Sequence, residues 1–98
     1  MKIEKNLDGG KLVIGLQGRL DTMTSPELDK ELQESLAGVT ELEFDLAELE
    51  YVSSAGLRVL LSAQKAMNKQ GSMVVKNVNE QIMEVFDVTG FTDILTIQ

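Results

Sequence analysis

The segment Glu41-Leu42-Glu43-Phe44-Asp45-Leu46 alternates acidic and apolar residues without a break. A period of two is that of a strand with one face buried. The next two segments constrain the fold further. Ser53 to Gln70 reads as a long helix closed by Gly71, and Met73–Lys76, centred on Val74-Val75, reads as a short buried strand. Two strands joined through a helix cannot be a tight antiparallel hairpin, so this unit calls for a parallel pair.

The N-terminal third adds a second kind of pairing. Lys2–Lys5 reads as a strand, Asp8-Gly9-Gly10 supplies residues that tolerate positive φ, and Lys11–Gln17 carries Leu12, Ile14 and Leu16 on one face. Such a run predicts an antiparallel hairpin. Gly18 to Thr24 breaks the pattern and reads as a loop. Ser25-Pro26 then suits the start of a helix, with Ser25 accepting from first-turn amides and Pro26 giving up no bonded N–H. Leu28, Leu32 and Leu36 recur every four residues up to Gly38, a candidate left-handed cap. Near the end, Asn79 caps a short helix with Ile82, Val85 and Phe86 on one side, Gly90 stops it, and Asp93–Ile97 reads as a last strand. The expected architecture is therefore α/β: one domain over residues 1–98, in the order β-β-α-β-α-β-α-β. It would hold a mixed sheet of about five strands with three to four helices.

Composition narrows the chemistry. The 98 residues include no Cys and no His, which removes disulfides, thiol catalysis, the commonest general base and the commonest metal ligand. No Gly-rich phosphate loop ending in Gly-Lys-Ser/Thr is present, so neither nucleotide nor any other cofactor is expected. Acidic residues outnumber basic ones 16 to 9, a net charge of −7. The excess lies wholly in residues 1–50, with 12 acids and 5 bases; residues 51–98 hold four of each. That balance disfavours direct nucleic-acid binding and attraction to an anionic membrane surface; it reads as acidity for solubility, with a basic protein partner as the sharper alternative. The charged N-terminus MKIEKNLDGGK lacks a signal-peptide core, and no apolar run approaches ~20 residues, so a soluble cytoplasmic protein without membrane insertion is expected.

One junction carries a functional signal. In Val52-Ser53-Ser54-Ala55-Gly56-Leu57 two serines stand where the long helix begins, and either hydroxyl could cap it. Nucleophilic serine chemistry would need a lysine or a carboxylate as base, and Gly-x-Ser-x-Gly is missing. The alternative is a serine that is itself a substrate. A phosphoryl group on Ser54 would sit at the positive end of the helix and add roughly −1.5 to −2 charges at one point.

This junction, together with Gly18-Arg19-Leu20-Asp21, Thr24-Ser25-Pro26-Glu27-Leu28 and Phe86-Asp87-Val88-Thr89-Gly90-Phe91, resembles the STAS domain of bacterial anti-sigma factor antagonists along almost the whole chain. The resemblance implies a protein-binding switch. The unphosphorylated domain would bind an anti-sigma factor that is also a serine kinase of the histidine-kinase-like ATPase type. Phosphorylation would release it, and a metal-dependent serine phosphatase would restore binding. The family's serine corresponds to Ser54, Ser53 stands where an Asp is common, and Asp21 matches the aspartate of the Gly-x-Leu-Asp loop. Ser53 is the less favoured acceptor. The resemblance also admits a constitutive STAS subunit of a larger assembly, such as a lipid-transport ATPase complex, with no switch.

Helical geometry adds further candidates. At 100° per residue, Ala55, Val59, Leu60, Ala63, Ala66 and Met67 cluster toward the sheet, and Arg58, Ser62, Lys65 and Lys69 lie opposite. Leu57 and Leu61 fall on the border, either as core or as an apolar ledge beside Ser54. Arg58, one turn after Ser54, could pair with a phosphate there. Gly56 would allow close backbone packing at the helix start. Of the five methionines, Met1, Met67, Met73 and Met83 read as gap fillers, whereas Met23 follows Asp21 in the loop and is expected to be exposed near the serine.

Overall fold

Gly9, at φ +62°, turns the chain between β1 (Lys2–Asp8) and β2 (Lys11–Leu20), which pair antiparallel from Lys2↔Gln17 to Asp8↔Lys11. A computed structural model describes residues 1–98. The remaining elements are α1 (Ser25–Ser35), β3 (Glu41–Val52), α2 (Ser54–Gln70), β4 (Ser72–Lys76), α3 (Glu80–Thr89) and a 3-10 turn, Phe91–Asp93. The sheet order is β1-β2-β3-β4, with β2–β3 and β3–β4 parallel. The strand order never reverses. Two crossovers of the usual right-handed sense then lay α1 and α2 on the same face of the sheet.

The core sits between that face and the helices. Leu12, Ile14 and Leu16 of β2, Leu42, Phe44 and Leu46 of β3, and Met73 and Val75 of β4 are all buried. Phe44 is central, paired in register with Ile14 on one side and Val75 on the other. From above, Leu28 and Leu32 of α1, Leu60, Ala63 and Met67 of α2, and Ile82 and Phe86 of α3 close over it. The opposite face is more polar, with Glu43 bridging Lys11 at 3.6 Å and Lys76 at 3.1 Å.

β3 runs much further than the strict alternation of Glu41–Leu46 suggests. Its 12 residues pair with the 10 of β2, and the register slips by one between Gly15 and Gln17 and again between Gly18 and Arg19. Each bulge reverses the inside–outside parity, so Leu46, Leu49 and Val52 all point inward at intervals of three. The first bulge is held from outside the strand. Asp45 Oδ1 accepts from Ala47 N–H at 3.0 Å and from Asn77 Nδ2 at 2.9 Å, and Asn79 Nδ2 donates to Leu49 O at 2.9 Å. Asn77 takes φ +60°, a left-handed conformation that asparagine tolerates better than most residues.

Two expectations are corrected. The sheet has four strands, because Asp93–Ile97 does not form a fifth: Gly90 at φ +80° leads into the 3-10 turn, and only an isolated parallel bridge, Val75↔Ile97, joins the tail to the sheet. Ser25 does not cap α1 either. It lies inside the helix, buried, with its hydroxyl donating back to Asp21 O. Thr24 immediately precedes the helix, and the turn that leads into it is capped by Asp21.

Replacing Asn79 with Ala removes both the α3 cap on Ile82 N–H and the donor to Leu49 O. Urea unfolding of Asn79→Ala is expected to show a loss of about 1–3 kcal/mol with an unchanged denaturant slope.

Candidate functional site

The parallel β2–β3 pair ends with Leu20 opposite Val52, and the chain then enters α2 directly. Ser53, at φ −96° and ψ 175°, is still extended; its N–H donates to Leu20 O at 2.9 Å, and its C=O accepts the first helical bond, from Leu57 N–H. Its hydroxyl accepts from Gly56 N–H at 3.3 Å. Ser53 is therefore the cap. That leaves Ser54 as the first helical residue, exposed, with no hydrogen bond to its hydroxyl. The two serines, indistinguishable by type, are separated by geometry.

Gly56 explains why the helix can start so close to the strand ends. A Cβ there would stand 2.7 Å from Leu20 Cγ, 2.9 Å from Leu20 O and 3.0 Å from Val52 Cγ2. Backbone on one side and core side chains on the other leave no room for it.

Leu20 also leads into the turn that carries Asp21 and Met23. Asp21 Oδ1 accepts from the N–H groups of Met23 and Thr24 at 3.0 and 3.1 Å, while the Thr24 hydroxyl accepts from Asp21 N–H at 2.9 Å and donates to Arg19 O at 2.7 Å. This reciprocal pair is a capping box spelled Asp-x-x-Thr, and Ser25 N–H closes the first helical turn on Asp21 O at 2.8 Å. The Asp21 carboxyl is held below its ordinary pKa of 3.8 chiefly by the Thr24 amide. Partial desolvation opposes this, and the Met23 amide, the Thr24 hydroxyl and Arg19 assist it. Met23 is left at the tip, 86% exposed.

Other expected site residues divide. Leu57 is 6% exposed and belongs to the core, which overturns its role in an apolar ledge: its side of α2 is covered by the fold. Leu61 is half-buried and can still form the edge of such a ledge, and Arg58 is exposed. A pair not anticipated from sequence lies beside the turn. The Arg19 guanidinium stacks over the Tyr51 ring at 4.2 Å from its centroid, and Arg19 Nε lies 3.7 Å from Asp21 Oδ2. Those residues are in register in β2 and β3, but the second bulge that aligns them leaves no mark in the periodicity. A groove of about 490 Å³ between α1 and α2 is lined by Leu32, Leu36, Ala63 and Ala66 with Asp29, Gln33 and Ser62. None of the residues around Ser54 contributes to it.

Comparison with known proteins places this geometry in a family. The family described as Mlab, STAS domain matches residues 3–96. The chain belongs to the STAS-domain family. Among its STAS relatives, BtrV of Bordetella bronchiseptica, provisionally named an anti-sigma factor antagonist, is 33% identical over 99 residues, covering 99% of this chain and 85% of that protein. The anti-sigma-B factor antagonist of Bacillus subtilis is 31% identical over 85 residues, covering 86% of this chain and 78% of that protein. The solved structure of the Bacillus cell fate determinant SpoIIAA in its phosphorylated form has the same fold, with a TM-score of 0.78 at 17% identity, covering 99% of this chain and 91% of that one. No helix of this STAS domain is long and apolar enough to cross a membrane.

The geometry predicts two outcomes. Gly56→Ala gains helix propensity but meets Leu20 and Val52, so a net loss of about 1–3 kcal/mol is expected in chemical unfolding. Because the Asp21 pKa is lowered on folding, its stabilisation is complete above 3.8 and is lost as pH falls through the folded value. Amide NMR signals of Met23 and Thr24 are expected to hold steady from pH 7 to about 4 and to move together below it. Asp21→Asn, which keeps a capping oxygen without the charge, removes the acid transition.

Proposed function

We propose that the chain is an anti-sigma factor antagonist that acts in the cytoplasm by partner switching. With Ser54 free, it binds an anti-sigma factor that is also a serine kinase of the histidine-kinase-like ATPase type. Phosphorylation of Ser54 releases that partner, and a metal-dependent serine phosphatase returns the chain to the binding form. The chain does no catalysis of its own.

The observation that carries this reading is the division of labour between the serines. Ser53 spends its hydroxyl on the Gly56 amide, whereas Ser54 is exposed with nothing hydrogen-bonded to it. A hydroxyl without a base beside it is poorly placed to act as a nucleophile and well placed to be acted upon. The relatives' names, two of them anti-sigma factor antagonists, support the same assignment. So does the existence of SpoIIAA structures in both unphosphorylated and phosphorylated forms.

Physical chemistry supplies the switch. The first turn of α2 contains no acidic side chain, so a phosphate on Ser54 would be the first anion at the positive end of that helix. Arg58 stands one turn later, within reach of pairing. In the free chain the dianion is thus accommodated; under a docked partner it must be desolvated against a surface shaped for a hydroxyl. A 10⁴-fold loss of binding needs about 5.5 kcal/mol, and stripping water from unpaired charge costs several kcal/mol per ion. Around Ser54 the partner would meet Met23 at the tip of the Asp21–Thr24 turn and the half-buried Leu61, with Leu57 supporting the helix from beneath.

A second reading, a constitutive STAS subunit of a larger assembly, draws on the matched family, whose description names Mlab and not an antagonist. One experiment separates the two. Incubated with its kinase and ATP, the wild-type chain and Ser53→Ala are expected to gain one phosphoryl group of roughly 80 Da, and Ser54→Ala none. A gain by Ser54→Ala with none by Ser53→Ala would move the site by one residue. No gain by any of the three would favour the constitutive subunit.

A further inference from the structure

Net charge is an average over faces, and here the faces differ. The chain carries −7 overall, yet α2 contains no Asp or Glu, only Arg58, Lys65 and Lys69. At 100° and 1.5 Å per residue these three and Ser62 fall within about 60° of the helix circumference and extend for roughly 16 Å. All four are exposed. The ion pairs of the molecule engage Lys2, Lys5, Lys11, Lys76 and Arg19; Arg58, Lys65 and Lys69 have no carboxylate within 4.0 Å. A stripe of unpartnered cations thus runs along the helix whose first residue is Ser54.

We propose that this stripe is part of the docking surface and that the partner protein covers it with acidic side chains. The inference rests on the reading that this chain binds an anti-sigma factor, and it specifies the chemistry of that contact. It runs against the alternative of a basic partner that net charge alone suggests. An acidic protein surface approaching this molecule is repelled by the acid-rich α1 and strand edges and attracted by α2, so the charge distribution orients the encounter. The same stripe gives phosphorylation a second effect. A phosphate on Ser54 stands one turn before Arg58, competes with the partner's carboxylates for it, and cancels the positive potential at that end. Nucleic acid and anionic lipid are the weaker alternatives, because three cations on a chain of net −7 make a small footprint for a polyanion.

The test uses positions far from the serine. Lys65→Glu/Lys69→Glu alters the helix three to four turns beyond Ser54, and Lys2→Glu/Lys11→Glu makes the same change in net charge on β1 and β2. Each folded variant, checked by circular dichroism, is titrated calorimetrically with the purified cognate ATPase at low and high salt. The α2 variant is expected to bind at least about tenfold more weakly near 50 mM salt, with the deficit shrinking to about threefold near 500 mM, as screening at a few ångströms requires. Lys65→Gln/Lys69→Gln should fall between it and wild type, and the strand variant should stay within about threefold of wild type. An α2 variant that binds as tightly as wild type, or a strand variant that loses as much, overturns the inference while leaving the antagonist reading intact. Failure of wild type to bind the ATPase at all overturns both. Sedimentation of wild type, but not the α2 variant, with phosphatidylglycerol vesicles would assign the stripe to a membrane and overturn the acidic-protein contact.

Discussion

The contact on which the site depends is the approach of the first turn of α2 to the end of β2. Leu20 O accepts the Ser53 N–H, and the Leu20 side chain fills the space that a Cβ on Gly56 would need. Because the helix is pinned there, Ser53 is caught between strand and helix geometry, and its hydroxyl faces inward to the Gly56 amide. Ser54 then has no choice but to face solvent. The same Leu20 delivers the chain into the Asp21–Thr24 capping box, so the turn bearing Met23 and the mouth of α2 share one anchor. The two candidate segments, distant in sequence, thus meet at Leu20.

The bulges in β3 serve that anchor. With strict alternation from Glu41 onward, Leu49 would share the outward parity of Glu41 and Glu43. The first extra residue brings Leu49 to the interior, and the second returns the parity so that Val52 is again inward and level with Leu20. Asp45 within β3, with Asn77 and Asn79 of the β4–α3 loop, holds the first bulge. Charge shows a similar division: acids crowd α1 and the strands, where several are paired with lysines, while α2 carries only cations. In this arrangement the helix that begins with the exposed Ser54 differs in charge sign from the rest of the molecule, and under the proposed switch a phosphoryl group would offset that difference locally.

Much of this was legible in the amino-acid order. The hairpin at Asp8-Gly9-Gly10, the apolar faces of β2 and β3, the long helix to Gly71, and the glycine stop at Gly90 all express local preferences that packing reinforces; α1 instead ends at Ser35, with Leu36 as its cap, short of Gly38. The failures have physical reasons. Asp93–Ile97 has the composition of a strand, yet the left-handed Gly90 directs the chain into a 3-10 turn, leaving one bridge to Val75. Ser25-Pro26 does begin α1, but Ser25 does not cap it: its hydroxyl donates back to Asp21 O, and Asp21 with Thr24 takes up the amides of the preceding turn. Leu57 sits at the margin of the α2 apolar arc, and only the neighbouring elements decide that it is covered. The choice between Ser53 and Ser54 is a matter of backbone angle, which residue type does not encode.

Under the proposed switch, a dianion at the entrance of α2 is incompatible with the docked state. The most direct measurement compares stoichiometrically phosphorylated protein with the same preparation after enzymatic dephosphorylation, each titrated into the cognate anti-sigma kinase under identical salt. At least about a hundredfold weaker binding is expected for the phosphorylated sample, fully recovered on dephosphorylation, with superimposable circular dichroism spectra. Equal affinity in the two states would contradict it.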